Sequence, residues 1–157
     1  MDKIEKMRKA VLKDLCERLN KRAVAARLTE KDSILTLLLP FQVKGDDVFC
    51  DIFFLQTDER AGDASVLTIR AEIADVSGLS GDDLMSLCMK VSVLNDNLPL
   101  GAYGVSVSDE EGHPDKLVFA TSIPLIGEIR DERLLEVMES TLSMTAQIIQ
   151  NSIGDFL

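Results

Sequence analysis

The chain has 157 residues, of which 46% are hydrophobic and 28% are charged, a balance typical of one globular domain with a substantial core and not of a disordered chain. Its formal net charge of −10 disfavours nucleic acid as a partner, because contacts to phosphate require Lys and Arg. Cys16, Cys50 and Cys88 are far apart and form no CxxC pair, so we expect reduced thiols without a disulfide or a zinc site.

The first predicted element is an amphipathic helix, because apolar residues recur every three or four positions from Ile4 to Leu19. Asn20 is its predicted end. This region is basic: Met1 to Arg27 holds nine Lys and Arg against four acids, whereas the remaining residues hold eight against 23. The favoured interpretation of this uneven charge is that the basic residues form the solvated face of the helix. The alternative is that they form a docking surface for a partner.

Extended segments follow the first helix. ILTLLLPFQV at 34–43, VFCDIFFLQ at 48–56 and VLTIRAEIA at 66–74 are the predicted strands. AVAARL at 23–28 alternates only weakly, so three or four strands are expected in this region. The intervening segments KGDD and TDERAGDAS are a predicted turn and a predicted polar loop. Short connections favour an antiparallel meander, since parallel strands need long crossovers.

A second helix is predicted within residues 77–97. Ser80 and Asp83 are spaced as in a capping box, although that box prefers Glu or Gln at the later position. Pro99 ends the helical region, because it disfavours helical geometry at Leu98.

A hairpin and a closing helix complete the chain. AYGVSV and LVFATSI are the predicted strands, SDEEGHPDK is the loop between them, and Pro124 and Gly127 end the second strand. The last helix is predicted to begin at the N-cap Asp131 and to run for about 20 residues, or roughly 30 Å.

This order of elements predicts an α+β fold. We expect an antiparallel sheet of about five strands with three helices, in the order α-β-β-β-α-β-β-α, and a single domain over residues 1–157. The N-terminus lacks the apolar core of a signal peptide, and the longest apolar run, ILTLLLPF, is too short to span a bilayer. We therefore predict a cytoplasmic protein without an integral membrane segment.

The residues offer little for catalysis. His113 is the only histidine and lies in a predicted hairpin loop, where a solvated side chain is the favoured interpretation and a general base the alternative. The segment GAYG lacks the further glycine and following helix of a phosphate-binding loop, so we expect Gly101 and Gly104 to serve a turn and Tyr103 to pack against the last helix. We predict no catalytic, cofactor-binding or metal-binding residues.

A resemblance to a known family lies in the C-terminal half. The helix ending in SVLNDNLPLGAYGVSV, the strand LVFATSIPL and the long closing helix resemble the type III secretion chaperone-like superfamily, which includes the YbjN family. Asn95, Pro124 and Leu125 occupy the places of that pattern. The resemblance implies a small, acidic, non-enzymatic protein that forms a homodimer and holds an extended segment of a protein partner, through a strand edge or apolar pockets.

The segment LPLGAYGVSV, followed by FATSIPL and a long helix, is also similar to the YjfI family. That resemblance implies the alternative function, a partner of a PspA-like membrane-stress coiled-coil protein, which would bind a long helix. An enzyme with a deep polar pocket, or a small-ligand site between sheet and helices, remains a further alternative.

Five apolar residues on the two C-terminal helices are candidates for a partner or dimer interface: Leu87, Val91, Met138, Leu142 and Ile149. For each residue taken singly, a position in the core is the favoured interpretation. An apolar stripe on these helices that is wider than the sheet can cover would favour an interface over the core.

Overall fold

Three helices and one antiparallel sheet make up the part of the chain that the computed structural model describes, which is residues 3–55, 64–107, 110–126 and 132–155. The elements, in chain order, are α1 (Lys3–Lys21), β1 (Ala26–Thr29), β2 (Ile34–Val43), β3 (Asp46–Leu55), β4 (Ala64–Asp75), α2 (Gly81–Asn95), β5 (Ala102–Val107), β6 (Pro114–Ile126) and α3 (Glu132–Ser152), followed by a 3-10 turn (Ile153–Asp155).

The strands lie in the order β1-β2-β3-β4-β6-β5, and every neighbouring pair is antiparallel. The predicted α+β class and the antiparallel pairing are therefore confirmed. The described sheet has six strands where about five were expected. The additional strand is β1, which pairs Ala26 with Leu37 and Thr29 with Ile34 although its own alternation is weak.

One face of the sheet and the three helices enclose the core. Alternate residues of the strands, such as Leu35, Ile52, Ile69 and Phe119, are fully buried and belong to the same cluster as the buried residues of α1, α2 and α3. This alternation follows from the two-residue period of a strand. The opposite face is more open and carries polar side chains, including a hydrogen bond from Thr36 to Asp51.

The helix ends match the sequence closely. α1 extends to Lys21, one residue beyond the predicted end. The Ser80 hydroxyl accepts the backbone N–H of Asp83 at 3.2 Å, which confirms the predicted N-cap of α2. The predicted N-cap of α3, Asp131, lies outside the described residues, as does most of the loop predicted at 57–65.

β6 is longer than predicted, because Pro124 does not end it. Pro124 pairs with Val66 of β4, and the strand continues to Ile126. The pairing of β6 with β5 ends at Ala120 and Ala102, so none of the described strands lies on that side of β6 at Pro124. Proline is tolerated in a strand where a side is unpaired, since the missing N–H then removes no ladder bond.

Glycine at 101 is required by the turn into β5. Its φ of +71° is unfavourable for other residues, and a Cβ there would lie 2.6 Å from the ring of Phe119. The prediction that this glycine serves a turn is confirmed. No described helix is both long enough and apolar enough to cross a membrane.

Candidate functional site: a groove between α1, β2 and α3

A groove of about 830 Å³ lies where the end of α1, the second half of β2 and the middle of α3 meet. Leu37, Leu39 and Leu142 form an apolar floor, and all three are at most 6% exposed. Exposed polar groups stand around the rim, among them Glu136 and Ser143 of α3. Apolar clefts with a few polar groups are the usual form of a binding site. We call this cleft the α1–α3 groove.

The end of α1 turns the backbone along one wall of the groove. The carbonyl of Leu19 accepts the N–H of Val24 at 3.0 Å, and the carbonyl of Asn20 accepts the N–H of Ala23 at 3.2 Å. These two bonds form a Schellman motif, whose C′ residue takes the left-handed conformation that favours glycine. Here that residue is Ala23, with φ +61°.

The opposite wall is an irregular part of β2. β2 pairs with β3 at Leu38 and again from Gln42, and the register shifts between these two residues. On its other side, β2 loses its partner beyond Leu38, whose N–H reaches the carbonyl of Ala25 at 3.4 Å. Pro40 follows at this unpaired edge and offers no N–H. A bulge and a proline are devices that prevent another strand from adding to an edge.

A buried carboxylate joins α1 to α3 beside the groove. The side chain of Glu139 is 8% exposed and forms ion pairs with Arg18 and with Arg22, the second at 2.9 Å. The hydrogen bond to Glu139 raises the pKa of Arg18 above the usual arginine value. A buried charge needs such partners because leaving water is costly. Glu139 is thus an anchor between helices, already held by two guanidinium groups.

Part of the basic charge of α1 is used within the fold. Besides Arg18 and Arg22, Arg8 donates from Nε to the hydroxyl of Ser65 at 2.9 Å and stacks over Phe54 at 5.8 Å. Lys9 lies 3.8 Å from Glu5 on the helix surface. The basic helix is therefore partly an internal docking element, which the sequence pattern by itself does not reveal.

The five predicted interface residues lie in the core of the single chain. Leu87 and Val91 of α2 are each 6% exposed. On α3, Met138 is 1%, Leu142 6% and Ile149 0% exposed. Such residues have almost no surface for another chain, which agrees with the core interpretation favoured for each. Leu142 alone also lines the groove. Whether the protein forms a dimer stays a prediction.

The other residues singled out in the sequence have structural places. The side chain of His113 is 68% exposed, with Nδ1 3.6 Å from Glu111, so the prediction of a solvated loop histidine is confirmed. Tyr103 is buried, and its hydroxyl lies 2.6 Å from that of Ser152, which confirms its packing against α3. Among the described residues, no three His, Cys, Asp or Glu side chains come together as a possible metal site.

The cysteines differ in their surroundings. Cys50 is buried in the core, where desolvation raises the pKa of its thiol to about 12. Cys16 is half-buried and its thiol lies 3.7 Å from the carbonyl of Ala26, while Cys88 is exposed on α2. A thiol is reactive as the thiolate, so Cys50 is a poor nucleophile.

Asparagine side chains form hydrogen bonds with backbone groups of both edge strands. Asn20 accepts the N–H of Ala26 in β1 at 3.1 Å. Asn95 accepts the N–H of Tyr103 in β5 at 2.8 Å and donates to its carbonyl at 2.9 Å, as a neighbouring strand would. Asn95 was noted in the sequence only as part of a resemblance. Its physical role is to pin the end of α2 to the sheet edge.

Glu139 is the residue of this site that the sequence analysis did not identify. One signal was available: Glu139 is four residues from Leu135 and three from Leu142, so it lies on the apolar face of α3. An acid on such a face requires a partner, and Arg18 near the end of α1 and Arg22 just after it are spaced four residues apart to supply it.

Comparisons with known proteins give a likeness of fold. No family model and no curated protein sequence matches the chain. Among solved structures, the chain is similar to YbjN from E. coli, for which a role as a transcription regulator has been suggested. The match covers 92% of each chain with a TM-score of 0.54 and 14% sequence identity. At that identity the likeness concerns the fold alone, and we conclude that the chain has a YbjN-like α+β fold.

Proposed function

We propose that the protein is a non-enzymatic binding module that holds a short segment of a protein partner in the α1–α3 groove. The observation that carries this proposal is an open apolar cleft, floored by Leu37, Leu39 and Leu142, with polar groups only at its rim. Such a cleft binds apolar side chains by removing them from water. A cytoplasmic location and a homodimer belong to the same proposal.

The partner segment follows from the shape and charge of the groove. The apolar floor accepts one or two large apolar side chains. Arg22 is held by Glu139, so the charge that the rim offers to a ligand is the exposed carboxylate of Glu136. A segment with a basic residue beside its apolar anchor therefore fits, and the net charge of −10 attracts such a segment over a longer distance.

Capture through side chains is favoured over addition of a strand. Pro40 and the bulge interrupt the edge of β2 at the groove. Asn20 and Asn95 occupy backbone groups of the outer strands β1 and β5. Strand addition needs a free row of N–H and C=O groups, whereas pocket binding needs only the apolar floor.

We propose a non-enzymatic function because the surroundings of the reactive side chains do not suit catalysis. Glu139 is neutralised by two arginines, His113 is exposed near Glu111, and burial raises the pKa of Cys50. General acid–base or nucleophilic chemistry requires such groups to converge on one substrate position. Among the residues that the structure describes, the groove lining brings together one glutamate, an arginine–glutamate pair and serine hydroxyls as its polar side chains.

A groove-filling variant tests the proposal. Ser143→Trp places a large ring in the groove, and Gln150→Trp places the same ring on an exposed position of α3 outside it. We expect the unmodified chain and Gln150→Trp to recover the same protein partner from cell extract in similar amounts. The amount recovered by Ser143→Trp should be at least tenfold lower. Circular dichroism checks that both variants are folded. Equal recovery by all three chains would exclude the groove as the binding site.

The alternative, a partner of a PspA-like coiled-coil protein, is distinguished in the same experiment. On this alternative the long helix binds outside the α1–α3 groove, so its binding should survive Ser143→Trp. Recovery of a coiled-coil protein by both tryptophan variants would favour the alternative. Light scattering on the purified chain tests the homodimer separately.

A further inference from the structure

α2 is apolar on two faces, and one of them is covered by nothing within the described chain. Leu87 and Val91 on the inner face are buried in the core. Met85, Met89 and Val93 on the opposite face are 64%, 65% and 67% exposed. These three residues, which we call the α2 outer face, are spaced by four and form one ridge along the helix. A surface helix of a globular protein normally carries one apolar stripe, so a second apolar ridge is unusual.

The rest of the fold holds α2 firmly, so this ridge is presented as a fixed surface. Ser80 caps the first turn, and Asn95 is bonded to the backbone of Tyr103 at the other end. The Asn95 bonds tie the C-terminal end of α2 to β5, so α2 cannot turn its outer face inward without breaking them and removing Leu87 and Val91 from the core.

The dimensions of the α2 outer face suit one helix. Met85 to Val93 spans eight residue steps, or about 12 Å of helix at 1.5 Å per residue. Three side chains along this length bury much less than the roughly 800 Å² per partner of a standard interface, so we expect a modest affinity. A ridge of residues spaced by four packs into the corresponding groove of another helix. Methionine adapts to such partners because its side chain is flexible and polarizable.

The surrounding charge is mainly acidic. Asp82 and Asp83 stand in the first turn of α2 and Asp96 at its C-cap, with Lys90 as the base on the helix. A cleft of about 430 Å³ adjoins the helix, and Asp46, Asp75 and Asp83 line it together with Lys44 and Lys90. Hydrogen bonds from Ser77 lower the pKa of Asp75, and the Asp75 carboxylate also lies 3.5 Å from the ammonium of Lys116.

These charges oppose a second copy of the chain as the occupant. Antiparallel packing of two α2 helices brings Asp82 and Asp83 near Asp96 of the other copy, and parallel packing brings like residues together. Each copy also carries a net charge of −10. A partner helix with Lys or Arg beside its apolar stripe meets the same acids favourably, since complementary charge steers association and excludes wrong partners.

We propose that the α2 outer face binds a basic amphipathic helix of another protein. The apolar stripe of that helix covers Met85, Met89 and Val93, and its basic residues face the acids at the two ends of α2 and in the adjoining cleft. This inference does not depend on the α1–α3 groove, which lies on other elements and is tested with other variants.

A designed peptide tests the inference with the full chain. The probe is a helix of about 18 residues, five turns, with leucines on one face and lysines on the other; a second peptide carries glutamates in place of the lysines. Binding is measured by fluorescence anisotropy, and the contact site by the shifts of backbone amide signals in nuclear magnetic resonance. We expect the lysine peptide to shift α2 signals and to bind at least tenfold more tightly than the glutamate peptide.

A matched pair of variants locates the site. Met89→Glu places a charge on the ridge, and Met144→Glu places the same charge on another exposed methionine, 46% exposed on α3. We expect Met89→Glu to weaken binding at least tenfold and Met144→Glu to change it less than twofold. Both residues are exposed, so both variants should fold normally.

Three results would overturn the inference. Equal binding of the lysine peptide to both variants would show attraction to the acidic protein as a whole. Equal binding of the two peptides would remove the argument from charge. A dimer of the unmodified chain that Met89→Glu converts to a monomer in light scattering would show that a second copy covers α2.

Discussion

Ala23 is a residue whose conformation conflicts with its side chain. It holds φ +61° at the C′ position of α1, where its own N–H and that of Val24 close the Schellman motif. An L-residue in the left-handed region is disfavoured by roughly 1–2 kcal/mol. The cap is nevertheless formed, because Val24 packs against the core on the far side of the turn. The strain lies on the wall of the α1–α3 groove.

Ala23→Gly is therefore expected to stabilise the protein. Glycine removes the strain but gives the unfolded chain more freedom, so the net gain is about 0.5–1 kcal/mol, which corresponds to roughly 1–4 °C in melting temperature. Differential scanning calorimetry measures the change. Ala25→Gly, two residues further along the same exposed turn and without positive φ, is the control and should lower stability slightly. A loss of stability with Ala23→Gly would contradict the cap.

The three thiols should react in an order set by their surroundings. Cys88 is exposed, whereas Cys50 is buried with a pKa of about 12, so roughly one in ten thousand of its thiols is ionised at pH 8. We expect iodoacetamide to label Cys88 first and Cys50 at least a hundredfold more slowly, by mass spectrometry of peptides. In urea the difference should vanish. Rapid labelling of Cys50 in the folded protein would contradict the packing of β3.

At the scale of elements, side chains from the helices determine how the helices attach to the sheet. Asn95 pairs with both backbone groups of Tyr103 and so fixes α2 against β5. Glu139 joins α3 to the last turns of α1 through two arginines. Both residues are polar at positions where an apolar contact alone would leave the helix free to slide.

Asn95→Ala should release the end of α2. Two hydrogen bonds to the Tyr103 backbone are lost, and these half-buried groups lose their partner, so we expect a cost of about 1–3 kcal/mol in urea unfolding. Asn97→Ala is the control, because Asn97 makes one exposed bond to the carbonyl of Val93 and should cost under about 0.5 kcal/mol. Equal effects of the two variants would show that the Asn95 pairing does not hold α2.

Glu139→Ala should weaken the junction of α1 and α3. Removing one partner of a fully buried ion pair costs roughly 3–5 kcal/mol. We expect a smaller cost here, about 2–3 kcal/mol, because the Arg18 and Arg22 side chains are 22% and 66% exposed and regain water. Glu132→Ala removes an 81% exposed acid 3.7 Å from Arg18 and should change stability by less than about 0.5 kcal/mol. Urea unfolding compares the two. A small effect of Glu139→Ala would mean that the pair contributes little.

For the molecule as a whole, the arrangement separates a core on one side of the sheet from candidate binding surfaces at its margins. The core residues of α2 and α3 are those that the periodicity singled out, including Leu87, Met138 and Ile149. The surfaces open to a partner are instead the α1–α3 groove and the α2 outer face. If the five buried residues formed an interface, the stability that they contribute would depend on protein concentration. If they form the core of one chain, it would not.

Ile149→Ala distinguishes core from interface. Ile149 is fully buried in one chain, so its truncation should cost about 2–5 kcal/mol through lost burial and a cavity. The loss should be the same at every protein concentration, because stability gained at an interface would depend on concentration. Thermal unfolding over a hundredfold range of concentration tests this. Gln150→Ala, at the adjacent exposed position, should stay within about 0.5 kcal/mol.

The sequence alone predicted much of the fold, because the periods that define helices and strands are local. α1, the Ser80 cap of α2 and the strands β2 and β3 could be located from spacings within one segment. β1 and the end of β6 could not be assigned as well, since the short β1 exists by pairing with β2, and Pro124 is tolerated because β5 stops before it. These boundaries depend on neighbours that are distant in the sequence.

What the sequence by itself determined about this protein is its α+β class, its order of elements and the residues of its core, because the alternation of apolar residues within a segment specifies the face that is buried. Only the tertiary structure decided the partners: Arg18 meets Glu139 across 121 positions of the chain, and the α1–α3 groove exists where three distant elements converge. It also decided that Met85, Met89 and Val93 stay exposed. Local periodicity shows that a residue is apolar, but whether another element covers it depends on how the whole chain packs.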